Sequence, residues 1–154
     1  MSTNDTNPGN LGEVRFSRIY EAPRELVFEC MITPEHLTHF WGPPGISAPL
    51  DKIEIDPRPG GVFNTTMVMD ATGEEFPGEG VFLEVTPPET LVWTEPEVEG
   101  GMTTRLTFID LGDGRTQVDT HQTNVPEMYR SAEAQAGMQL SLDRFAAYLT
   151  TLAA

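Results

Sequence analysis

The chain has 154 residues, 38% of them apolar, and 9 basic against 24 acidic side chains give a formal net charge of −15. That length favours one domain, of a size that buries roughly 68–70% of the surface its unfolded chain exposes, so a core can form without metals or disulfides. The single cysteine, Cys30, excludes an intrachain disulfide framework, and lone basic residues in an acidic chain exclude the clustered Lys/Arg that nucleic acid requires.

In chain order, residues 1–12 carry Pro8, Gly9 and Gly12 with little apolar content and read as a flexible tail, with one domain over 13–154. Val14 to Tyr20 alternates at period two and predicts the first strand. Pro23 opens a helix whose apolar stripe is Leu26, Val27, Cys30 and Met31. Thr33 is placed to cap a second short helix running to Phe40-Trp41, which Gly42-Pro43-Pro44-Gly45 stops. Strands follow at Leu50–Asp56, Val62–Met69 and Glu75–Val85, the last curved or bulged by Pro77, Gly78 and Gly80. Further strands are expected at Leu91–Thr94, Met102–Asp110 and Thr116–Thr123, the last two joined through Gly112-Asp113-Gly114.

Pro126 opens a helical stretch to Leu152. At 100° per residue it carries two apolar stripes: Tyr129, Ala132, Ala136 and Leu140, then Met138, Leu142, Phe145, Leu149 and Leu152. The switch beside Gly137 predicts a bend there, or two abutting helices. No apolar run approaches the ~18 residues of a membrane span, and the polar N-terminus is unlike a secretory signal. The expectation is a cytoplasmic protein with no membrane partner.

Strand, two short helices, about six or seven strands and a long C-terminal helix is an α+β order, and here the chain resembles a known superfamily. It is similar to the SRPBCC (START/birch-pollen-allergen-like) proteins, in the branch of the activator of heat-shock protein 90 ATPase. The residues that carry this are Ala22-Pro23-Arg24-Glu25-Leu26-Val27-Phe28, Thr33-Pro34-Glu35-His36-Leu37 with Trp41-Gly42-Pro43, Asp56 to Phe63, Gly80 to Glu89, and Leu142-Asp143-Arg144-Phe145. One departure is Gly137-Met138, where the family often has Gly-Trp. The resemblance implies a helix-grip fold, a curved antiparallel sheet around the C-terminal helix, with a cavity for an apolar small molecule between them. It also implies two alternatives, a cyclase- or hydrolase-like enzyme in the same cavity and a co-chaperone. Without the additional N-terminal domain of the eukaryotic activators, the family name reads as a label.

Side chains suited to catalysis are sparse. His36 and His39, three apart on a short helix, have no third ligand near them in sequence, so no metal site and no cofactor are expected. His121 follows Asp119 by two, and strand parity points both outward if Val118 and Thr120 face the core. Ser17, Ser47, Ser131 and Ser141 have no base nearby in sequence. Cys30 reads as a buried inert thiol. Glu79, Glu84 and Glu95 are strand acids that would matter only if desolvated, and Arg58 and Arg105 read as surface ion pairs. The apolar set is fuller. Trp41, Phe63, Met67, Phe82, Trp93, Met102, Leu106, Phe108, Met138 and Leu142 are the residues expected to contact a lipid-, polyketide- or flavonoid-like ligand. A homodimer is compatible with this reading.

Overall fold

Period-two alternation builds the first strand, β1 (Gly12–Tyr20), in the computed structural model, which describes residues 11–98 and 100–153. Phe16, Arg18 and Tyr20 share its inner face, and Arg15, Ser17 and Ile19 its outer one. Residues 1–10 of the expected tail lie outside the described residues, but Gly12 already belongs to β1 and pairs with Val125. Pro23 precedes α1 (Arg24–Ile32), which buries Val27, Phe28, Cys30 and Met31. Thr33 does not cap α2 (Pro34–Leu37): its hydroxyl donates to the Glu29 carbonyl at 2.7 Å and so closes α1 instead.

The remaining strands are β2 (Ile46–Ser47), β3 (Glu54–Ile55), β4 (Phe63–Met69), β5 (Glu75–Gly78), β6 (Val81–Thr86), β7 (Thr90–Glu95), β8 (Met102–Asp110) and β9 (Thr116–Val125). The main sheet runs β1-β9-β8-β7-β6, antiparallel throughout. It continues through a Val62–Val81 bridge into a smaller sheet in which β4 carries β2 and β3 on one side and β5 on the other. Leu50–Asp56 is not one strand. Leu50–Lys52 forms a short 3-10 turn after Pro49, leaving Leu50 exposed, and only Glu54–Ile55 pairs. The expected Glu75–Val85 strand breaks at Glu79-Gly80, where the sheet turns its corner.

The C-terminal stretch breaks earlier than Gly137. Glu127–Tyr129 is a 3-10 turn, and the chain restarts as α3 (Ala132–Ala153), continuous through Gly137. The Ser131 hydroxyl accepts from the Ala134 amide at 3.1 Å, a local cap that starts α3 there. Within α3 the second predicted stripe turns inward as far as Leu149, with Phe145 and Leu149 buried and Leu152 exposed, whereas Ala132, Ala136 and Leu140 face solvent. Phe145 stacks on Phe40 (4.2 Å between centroids) and tilts against Tyr20 (5.0 Å), seating the helix in the curve of the sheet. The architecture is the helix-grip fold.

Two glycines give opposite expectations. A Cβ on buried Gly61 would fall on the Asp56 carbonyl oxygen within a tight turn, whereas a Cβ on Gly137 meets nothing within 4 Å. Gly61→Ala should therefore destabilise by more than about 2 kcal/mol, and Gly137→Ala should stabilise by about 1 kcal/mol. Urea denaturation of both variants measures the two signs.

Candidate functional site

The inner side chains of α3 and the concave face of the sheet do not meet along their whole length. Between them lies a cavity of about 520 Å³, within the usual range for small-molecule sites. A second lobe of about 350 Å³ adjoins it under β4 and β5. Trp41, Met67, Trp93, Glu95 and Tyr129 border both lobes and form their junction. Phe76, Glu79 and Tyr129 are exposed and mark the mouth of the smaller lobe.

The residues singled out from the sequence distribute as follows. Trp41, Met67 and Trp93 line both lobes, Leu106, Phe108, Met138 and Leu142 the larger, and Phe63 and Met102 the smaller. Phe82 lines neither. It pairs with Trp93 across the sheet, but the Phe63 ring stacks over it at 5.3 Å and leaves it fully buried in the core. Residues not singled out also contribute. Phe16, Arg18 and Tyr20 come from β1, and Thr104, Thr120 and Gln122 from β8 and β9. Their signal was available in the strand parity, because Arg18 falls on the same alternating face as Phe16 and Tyr20.

Two charges border the larger lobe. Arg18 is engaged: its guanidinium donates to the Gln139 carbonyl and side chain (3.3 and 3.2 Å) and pairs with Asp143 at 2.9 Å. Glu95 is half-buried among apolar groups. Burial raises its pKa above the ordinary glutamate value, opposed by a hydrogen bond with Trp93. Glu95 sits opposite Met102, and Arg18 lies in the row of Val118 and Phe108. Six residues of β8 separate these rows, about 20 Å along the strand.

The other candidates lie elsewhere. His121 points to the outer face, where its Nε2 meets Glu13 at 2.8 Å; Asp119 accepts from Ser17 and Gln117 instead of pairing with it. Those two hydrogen bonds hold the Asp119 carboxyl below its ordinary pKa. Tyr148 occupies both His36, on α2, and His39, in the turn just past it, its hydroxyl 2.6 Å from His36 Nδ1 and its ring stacked on His39 at 4.7 Å. Among the described residues no group of three or more His, Cys, Asp or Glu could hold a metal ion. Burial pushes the Cys30 thiol up to about 12, away from thiolate chemistry. Arg58 pairs with Asp56, and Arg105 with Glu84, at the surface. No described helix is long and apolar enough to cross a membrane.

A curved sheet gripping a C-terminal helix over an apolar cavity defines an SRPBCC-type domain. The chain belongs to the family of Activator of Hsp90 ATPase homolog 1-like proteins, whose family model matches residues 21–150. No curated protein matches it. Among solved structures, a Chromobacterium violaceum protein is 27% identical with a TM-score of 0.80, covering 88% of this chain and 96% of that one. A Nitrosomonas europaea protein is 25% identical (TM-score 0.79; 90% and 94% covered). The AHSA1 protein of Silicibacter pomeroyi, 20% identical with a TM-score of 0.75 over 91% and 99%, shares the fold.

The raised pKa of Glu95 has a defined consequence for stability. Its folded pKa lies above the unfolded value of about 4.3, so the native state holds this proton more tightly. The contribution is fully present below that unfolded value and is lost as pH rises through the folded pKa. Glu95→Gln should abolish this loss, raising Tm by a few degrees at pH 7, with the gain vanishing towards pH 4. Thermal melts of both proteins across that range measure it.

Proposed function

We infer that the chain binds a small apolar or aromatic molecule, lipid-, polyketide- or flavonoid-like in body, in the cavity between α3 and the sheet. The observation that carries this is the cavity itself, about 520 Å³ with Leu106, Phe108, Met138 and Leu142 on its walls. A ligand burying ~300 Å² of apolar surface there would gain ~7 kcal/mol at ~25 cal/mol per Å² before association costs. Micromolar affinity then needs no charged anchor. Met138 suits such a site, since an unbranched thioether adapts to differently shaped ligands.

An enzymatic use of the same cavity would rest on its acids, Glu95 and Glu79, since among the described residues no His, Cys or Lys lines either lobe. The family description names activation of the Hsp90 ATPase. Saturable stimulation of that ATPase by the purified chain would support this second reading.

Trp93 reports on binding, being almost fully buried and bordering both lobes. Titration with 2-naphthylmethanol should change its fluorescence saturably. Met138→Glu or Leu142→Glu should weaken binding at least about tenfold by placing a charge in the apolar lobe. His121→Ala, on the outer face, should leave it unchanged. A flat titration and an unmoved melting temperature across fatty acids, flavonoids and polyketide-like aromatics would contradict the reading.

A further inference from the structure

The junction of the two lobes is chemically unlike the rest of the cavity. Trp41, Trp93 and Tyr129 supply aromatic rings, Met67 a polarizable thioether, and Glu95 a carboxyl group. Trp93 and Glu95 are two apart on β7, so they project from the same face of the strand. Phe63 stands edge-on to both tryptophans, with centroids 5.5 Å from Trp41 and 4.9 Å from Trp93, and fixes their positions. Among the described residues, no cation forms an ion pair with Glu95, although six Lys or Arg ion pairs with carboxylates are formed elsewhere.

A carboxyl group held among aromatic rings without a counter-charge is suited to one class of partner. A positively charged nitrogen is attracted by the negative faces of the rings and by the carboxylate together. Glu79, at the mouth of the smaller lobe, adds a second acidic group on the approach. The net charge of −15 draws cations towards the protein and repels anions. The cationic wall group, Arg18, is already engaged by Asp143 and Gln139 and lies at the far end of the strands, so an anionic head group has no free partner there.

We propose that the ligand is a lipophilic amine, its apolar body in the larger lobe and its protonated nitrogen at the junction, between Trp41 and Trp93 and against Glu95. This rests on the ligand-binding reading above and narrows it to one chemical class. It separates two roles: the larger lobe selects for bulk and the junction selects for charge.

Three probes of matched shape test it by calorimetry: 2-naphthylmethylamine, 2-naphthylmethanol and 2-naphthoate, against the wild type, Glu95→Gln and, as a surface control, Glu21→Gln. The amine should bind the wild type about tenfold more tightly than the alcohol, and the carboxylate most weakly. That preference should collapse in Glu95→Gln, with the alcohol's affinity retained, and persist in Glu21→Gln. An amine no tighter than the alcohol overturns the proposal while leaving the binding reading intact. A preference that survives in Glu95→Gln, and so follows from net charge alone, overturns it equally. Failure of all three probes to bind the wild type overturns the proposal, and a flat response to fatty acids, flavonoids and polyketide-like aromatics as well removes the binding reading itself.

Discussion

The cavity exists because α3 is fastened at one half and held off the sheet at the other. Phe145 and Leu149 pack into the core, while Arg144 Nη1 donates to the carbonyls of Gly42, Pro43 and Ile46 at 2.6, 3.1 and 3.0 Å. Ser141 donates to the Phe40 carbonyl at 3.0 Å and accepts from the Gly42 amide at 3.1 Å. These bonds satisfy backbone groups of the segment that leads from α2 into β2, where unpaired groups would be costly. The loop can take this path only because residue 42 is glycine. Its φ is +104°, and a Cβ there would lie 2.8 Å from the Ile46 side chain. Trp41 is thereby fixed over the junction of the two lobes.

From that anchorage follow both the volume and the polarity of the site. The first turns of α3 contribute Ala134, Gly137 and Met138, small or flexible groups that leave space where a large ring would fill it. Arg18 ties β1 to the middle of α3 through Gln139 and Asp143, so the gap is bounded at that end by satisfied polar groups. At the other end Glu95 remains desolvated and without a counter-ion among the described residues. Burying a carboxyl group in this way works against folding. On the proposed ligand-binding reading, the same group gives the site a means of discrimination, as a few polar groups do in an apolar pocket.

The legible parts of the molecule were those set by local pattern. Period two gave β1, whose alternate residues turn inward and outward, whereas β4 and β7 follow from apolar runs bounded by turns and do not alternate, β7 burying Leu91, Val92 and Trp93 in succession. The same parity placed His121 on the outer face, where it meets Glu13. Tertiary competition defeated local pattern elsewhere. Thr33 donates back to the Glu29 carbonyl one turn earlier and makes no side-chain cap for α2. The helix break moved to Arg130-Ser131 because a capping hydroxyl decides a boundary more strongly than one interior glycine does. Phe82 has the right parity for the cavity, yet Phe63 covers it, a contact between strands nineteen positions apart that periodicity does not encode. Arg18 shares the inward parity of Phe16 and Tyr20, while the partners that accommodate its charge there, Gln139 and Asp143 on α3, are long-range contacts that parity does not encode.

The most direct measurement follows the two indole N–H signals of Trp41 and Trp93 by NMR while 2-naphthylmethanol is added to the wild-type protein. Both should move saturably with one dissociation constant, together with the Met67 and Met138 methyl groups, while outer-face residues such as His121 stay fixed. Indole signals that do not move, or shifts confined to the outer face, would contradict it.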